Sequence, residues 1–186
     1  KGIFHYSCRM VLRLCGWRLE AEPMPDVPKC VIIAAPHTSN WDLVWGLLAL
    51  GALRIRIHWF GKDTLFNKGV FSQLLRFLGG LPVERSHPGG VVAQSQQAFA
   101  AHTQLVLGIA PEGTRTQTTQ WRSGFYHIAQ AANVPVVVAF LDYKRRVMGV
   151  KTHFMPSGDL AADMALIAQA YNDVTARVPS QFAVPQ

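Results

Sequence analysis

Apolar and polar positions change period repeatedly along this chain. Cys30-Val31-Ile32-Ile33-Ala34-Ala35 is a continuous, β-branched apolar run of the kind a strand shows when both of its faces are buried. Between Arg54 and Phe60 the pattern alternates instead: Ile55, Ile57 and Trp59 share one face of a strand, and Arg54, Arg56 and His58 share the other. Such runs predict strands near 30–35, 54–60, 81–84, 104–110, 134–140 and 147–154. Helical patterns fall between them, near 3–18, 41–52, 69–78, 90–101, 122–132 and 159–176. Regular alternation of this kind predicts an α/β fold, a mixed and mostly parallel sheet flanked by helices. In such sheets functional sites gather at the carboxyl ends of the strands.

The chain of 186 residues fits one domain, 1–186, large enough to bury a full core. Its hydrophobic content of 49% against 16% charged residues is high for a domain that only has to fill a core. The longest apolar run, Leu43 to Leu53, ends at Arg54 and falls short of the roughly 18 residues a spanning helix needs. Residues Ile3 to Leu19 mix Phe4, Tyr6, Met10, Val11, Leu14 and Trp17 with Arg9, Arg13 and Arg18. That composition suits a helix over residues 1–20 lying on a membrane interface, and suits a core helix nearly as well. No signal-peptide cleavage pattern follows it.

The net charge of +7 and pI near 9.7 favour anionic partners: an acidic bilayer, coenzyme A or an acidic carrier protein. Nucleic acid is not expected, because the basic residues are scattered and no binding motif accompanies them. Cys8, Cys15 and Cys30 are odd in number, and the first two lie about 10 Å apart along a helix, so reduced thiols are expected. A cytoplasmic protein attached peripherally to the inner face of the cell membrane is the expectation.

Candidate chemistry lies in two short segments, Pro36-His37-Thr38-Ser39-Asn40-Trp41-Asp42 and Pro111-Glu112-Gly113-Thr114-Arg115. His with Asp five residues on is weak by itself; chance supplies about a quarter of a match in a chain of this composition. His58 and Asp63 repeat the spacing. Context separates the pairs. His37 follows a buried-strand run and precedes residues suited to capping a helix, so it stands at a strand-to-helix turn. Residues five apart within one helix point about 140° apart, so His37 can approach Asp42 only from outside the helix. The alternative role for Asp42 is a first-turn acid of a capping box with Ser39. His58 reads as a polar-face strand residue, and Asp63 as the N-cap of a short helix. The second segment imitates a phosphate-binding loop from Gly108 onward, but its lysine is absent and nucleotide triphosphate binding is rejected. What remains is a strand delivering a turn whose amides and Arg115 fork suit an oxyanion or phosphate.

The two segments, in this order, resemble the glycerolphosphate and lysophosphatidate acyltransferase family, with its H-x4-D and P-E-G-T-R motifs. Gly80-Leu81-Pro82-Val83-Glu84-Arg85 and Gly61-Lys62-Asp63-Thr64-Leu65-Phe66 resemble two further family segments, and the resemblance covers about residues 30–140. Pro36 stands where the family commonly has Asn, Thr116 where Ser often follows the Arg, and Val134 to Ala139 keeps only the first proline of the last motif. The resemblance implies acyl transfer from acyl-CoA or acyl carrier protein to the hydroxyl of a lysophospholipid, 1-acylglycerol 3-phosphate above all. His37 would be general base and Asp42 its tautomer-fixing partner. Amides around Gly113 and Thr114 would meet the thioester oxyanion, and Arg115, Lys62 and Arg85 would hold phosphate. Glu112 would orient Arg115 or the turn. Neither metal nor cofactor is implied. Alternatives are a different acceptor, such as a lyso-ornithine lipid, a hydrolase that releases the acyl chain to water, and a non-enzymatic lipid-binding module.

Overall fold

The computed structural model describes residues 2–21, 26–67, 69–84 and 90–186. Helix α1 (Gly2–Leu14) stops short of the expected residue 18. Gly16 turns left-handed at φ +76°, and the amides of Gly16 and Trp17 return to the carbonyls of Arg13 and Leu12 at 3.0 and 2.8 Å. Glycine there carries no Cβ penalty, which is why helices commonly end on it. The chain then leaves as strand β1 (Arg18–Ala21), which the periodicity missed. Four residues with charges at Arg18 and Glu20 carry no buried-strand signature. β1 exists because it pairs in parallel with a later strand, Arg18 opposite Val147.

The remaining elements are β2 (Lys29–Ala35), α2 (Asn40–Leu53), β3 (Ile57–Lys62), a 3-10 turn (Asp63–Phe66), α3 (Val70–Phe77), β4 (Gly80–Val83), α4 (Gly90–Ala101), β5 (Leu105–Ile109), α5 (Gly124–Ala132), β6 (Val136–Asp142), β7 (Val147–Phe154) and α6 (Leu160–Tyr171). Strand β3 starts later than expected because α2 runs on to Leu53 and closes on Arg54 in the left-handed region, φ 59°. Asp63 opens the 3-10 turn rather than capping it; Lys62 holds the N-cap position without a side-chain bond.

One sheet of seven strands results, in the order β1-β7-β6-β2-β5-β3-β4. β6, β2, β5, β3 and β4 run parallel, and β7 is antiparallel to β6. The mixed, mostly parallel α/β architecture is thus as expected. Its consequence is that the carboxyl ends of five neighbouring strands open on one edge.

One face of the sheet is covered by α4, α5 and α6: Val31, Ile33, Leu107, Val136 and Val138 pack with Phe99, Phe125, Ile128, Ile167 and Tyr171, all buried. Each such side chain contributes roughly 1.5–3 kcal/mol when fully withdrawn from water. The opposite face is covered by α1 and α2, where Cys8, Leu12 and Ala52 meet Trp17, Leu141 and Met148. α1 therefore joins the core through one stripe, while Ile3 (85% exposed) and Leu14 (80%) remain in solvent. Trp41, Leu43, Val44 and Leu47 on α2 and Val70, Phe71, Leu74 and Phe77 on α3 are exposed as well. No helix among the described residues is long and apolar enough to cross a membrane. All three cysteines are free; burial pushes the Cys30 thiol up to about 11.

Candidate active site

The sheet register brings the two motifs together. Ile33 of β2 stands opposite Ile109 of β5, so the chain past β2, carrying His37, and the chain past β5, carrying Glu112, leave the same edge side by side. After a cis Ala35–Pro36 peptide the backbone amide of His37 donates to Oε1 of Glu112 at 3.0 Å, a bond across 75 residues that joins the motifs directly. The imidazole Nδ1 lies 3.2 Å from the carbonyl oxygen of Ala34. A carbonyl only accepts, so Nδ1 carries the hydrogen and Nε2 keeps its lone pair, the tautomer a general base needs. Burial lowers the pKa of His37, and Arg115 lowers it further; Asp42 and the Ala34 carbonyl work in the opposite direction.

Asp42 differs from expectation. Its Oδ2 accepts from the amides of Thr38 and Ser39 at 2.6 and 2.7 Å, and its Oδ1 accepts from the hydroxyl of Tyr143. The expected contact between carboxylate and imidazole is replaced by the Ala34 carbonyl. The physical reason is local: unpaired amides at the start of α2, with Ser39 as N-cap, compete for the first-turn acid at close range. Asp42 thus builds the turn that holds His37, and its buried charge favours the imidazolium without touching it. One carboxylate thus both caps α2 and lies close enough to act on the imidazole.

Glu112 is buried, and its Oε2 has no protein partner. Burial is the main reason its pKa rises to about 7; the His37 amide lowers it and Asp42 raises it. Its Oε1 meets the His37 amide, and no ion pair with Arg115 occurs among the described residues. Gly113 follows at φ +65°, with the side chain of Arg122 lying where a Cβ would be, 2.5 Å from Nε. Arg122 was not foreseen, although its amide also returns to Pro111 at 2.9 Å. Among the described residues the amides of Thr114 and Arg115 donate to no acceptor, while the Thr114 hydroxyl is engaged with Thr116 at 2.9 Å. Arg115 is exposed and near enough to act on His37.

Lys62 ends β3 at the same sheet edge; it stands as far beyond Ile57 as Pro111 stands beyond Ile57's partner Val106. Arg85 lies outside the described residues. His58 is removed from the site, opposite Leu107 in mid-sheet, with its ring 6.2 Å from that of His102.

The C-terminal segment was not foreseen at all. The Val178 amide donates to Thr38 Oγ1 at 3.3 Å. With the Gln181 amide nitrogen facing them, the carbonyls of Thr38 and Arg115 accept at 3.1 and 3.3 Å. Trp121 Nε1 donates to the Ala183 carbonyl at 3.1 Å. Tyr143, in the turn after β6, meets this segment where its amide donates to Thr175 at 2.9 Å. The segment therefore straps both motifs from a distance that no local spacing reveals.

The chain is 30% identical over 109 residues to the 1-acyl-sn-glycerol-3-phosphate acyltransferase of Bacillus subtilis (strain 168), an alignment covering 58% of this chain and 53% of that protein. The chain thus matches about half the length of that relative. In fold it is similar to the crystal structure of the 1-acyl-sn-glycerophosphate (LPA) acyltransferase PlsC from Thermotoga maritima, with a TM-score of 0.57 and 14% identity over 92% of this chain and 75% of that one. The acyltransferase family profile matches residues 20–141, which hold β2, both motifs and every strand between them, and the chain belongs to the acyltransferase family.

Proposed function

We propose that this chain transfers a fatty acyl group from a thioester, acyl-CoA or acyl carrier protein, to the hydroxyl of a lysophospholipid, with 1-acylglycerol 3-phosphate as the acceptor. The observation that carries the reading is the bond between the His37 amide and Glu112, which holds a correctly tautomerised imidazole beside a turn of unengaged amides and the Arg115 guanidinium. Nε2 of His37 takes the proton of the acceptor hydroxyl as its oxygen attacks the thioester carbonyl carbon. Amides of Gly113 and Thr114 receive the charge on the carbonyl oxygen. Collapse breaks the carbon–sulfur bond, and the departing thiolate takes the proton from the imidazolium, leaving an ester and a free thiol. Asp42 stabilises the imidazolium through its field and holds the turn. Arg115 fits the role of phosphate clamp, with Lys62 at the same edge and Arg85 assigned to that role by resemblance. The apolar positions left exposed on α1 and α3, with Arg9 and Arg13, support docking on an anionic bilayer where both substrates reside.

The test offers purified protein a panel of lysolipids with acyl-CoA and acyl carrier protein donors, products being read by mass spectrometry. Arg115→Ala should depress lysophosphatidate acylation while hydrolysis of acyl-CoA by water falls far less, and Arg115→Lys should recover part of the loss. Faster acylation of a phosphate-free lysolipid, such as a lyso-ornithine lipid, would transfer the assignment to that acceptor. Binding without turnover on any acceptor would leave a lipid-binding module.

A further inference from the structure

Arg177 stands at the mouth of this site, in the strap that lies beyond the family match. Its guanidinium carbon sits over the Trp41 ring at 5.7 Å and over the Tyr143 ring at 5.8 Å. Trp41 belongs to the first motif, in the first turn of α2, and Tyr143 donates to Asp42. The guanidinium is therefore fixed next to the catalytic turn by aromatic faces instead of by a carboxylate, and no ion pair of Arg177 occurs among the described residues. The Asp42 carboxylate behind Tyr143 accepts from two amides and the phenol and makes no ion pair with Arg177 among the described residues. The guanidinium also donates to the Tyr143 hydroxyl oxygen; cation–π contact engages its faces, and the remaining N–H groups of its five-donor edge are the ones with which Arg recognises a phosphate. Its neighbour Val178 holds Thr38 and Gln181 reaches the carbonyl of Arg115, so the strap that seats Arg177 on Trp41 of α2 also touches the turn that carries Arg115 after β5.

We propose that Arg177 is a second phosphate-binding residue of the active site, contributed by the C-terminal strap, and that it holds a phosphate ester of a substrate on the α2 side of His37 while Arg115 holds another on the β5 side. The proposal rests on the acyl-transfer reading for which substrate it serves: the phosphates of the thioester donor's nucleotide or carrier arm, or the headgroup phosphate of the acceptor.

Arg177→Gln and Arg177→Lys are compared with the unaltered chain in steady-state kinetics, with donor and acceptor varied in turn. The expected result is a rise of tenfold or more in KM for one of the two with kcat nearly unchanged, partial rescue by Lys, and an unaltered melting temperature. A donor KM effect assigns the nucleotide or carrier phosphate; an acceptor KM effect assigns the headgroup. Calorimetric titration with coenzyme A, and with glycerol 3-phosphate, gives the same comparison without turnover, so it still tests Arg177 if no acyl transfer is found. Unchanged affinities and KM values in Arg177→Gln would overturn the proposal. A fall in kcat alone, with both KM values intact, would overturn it too, by showing that Arg177 acts on Asp42 through Tyr143.

Discussion

The hydroxyl of Tyr143 donates to Oδ1 of Asp42 at 2.5 Å, linking the turn after β6 to the first turn of α2 across 101 residues. Burial, followed by this bond, raises the phenol pKa, so the proton stays on Tyr143 and the hydroxyl remains the donor. Asp42 is held from three directions, two of them the amides that flank His37's own turn.

Tyr143→Phe should accordingly slow acyl transfer several-fold while leaving the fold intact, since only one of three supports is removed. Asp42→Ala should do more: it strips the caps of Thr38 and Ser39 and should lower stability by about 1–2 kcal/mol as well as turnover. A double-mutant cycle checks the connection. If Tyr143 works through Asp42, Tyr143→Phe should have little further effect on turnover in the Asp42→Ala background; full additivity would separate the two residues.

His37→Ala should lower kcat by roughly 10²–10⁴, the usual worth of acid-base catalysis, whereas His58→Ala should keep most activity. The pH profile carries a sign as well. Burial lowers the His37 pKa, so its basic form persists below the ordinary 6.5 and the acid limb of kcat/KM should fall at a lower pH than that. An acid limb above 6.5, or an essential His58, would overturn the assignment.

How much of this was legible in the sequence depends on distance along the chain. His37 and Glu112-Gly113-Thr114-Arg115 each follow a buried-strand run, and strand register alone then places them together. Strand β1 was hidden because Arg18 and Glu20 give it no apolar period. Tyr143, Arg177 and Gln181 were hidden for a different reason: each lies more than 100 residues from His37 in sequence, with no spacing rule tying it to His37. The role of Asp42 was half legible. Its capping-box spacing was visible, but the spacing could not show that capping would occupy both amides and displace the imidazole.

Exposed apolar residues on α1 give a vesicle-binding prediction. Ile3→Asp with Leu14→Asp, both at strongly exposed positions, should release the protein from anionic vesicles without unfolding it. Salt should weaken binding of the unaltered chain, because Arg9 and Arg13 each contribute about 1 kcal/mol near an anionic surface. Co-sedimentation reads both effects; equal binding to neutral vesicles at all salt concentrations would remove the electrostatic part.

Glu112 links the site to pH-dependent stability. In the unfolded chain its carboxyl ionises near the ordinary 4.5, and in the folded protein near 7. Between those values the folded state keeps a proton that the unfolded state has lost, so this group's contribution to stability falls as pH rises, by at most about 3 kcal/mol once the pH exceeds 7. His37 acts with the opposite sign, losing stability as pH falls below 6.5, because its folded pKa is lowered. Glu112→Gln separates the two. The amide oxygen can still accept from the His37 N–H, but the side chain no longer titrates, and the His37 contribution is common to both proteins. Denaturant unfolding of the unaltered chain and of Glu112→Gln should therefore give a stability difference that shifts in favour of the variant between pH 5 and 8, apart from a constant offset for the new NH₂ group beside the buried Oε2 position. A difference that stays flat across that range would mean that Glu112 is ionised throughout, and that the bond to His37 is made by a full carboxylate charge.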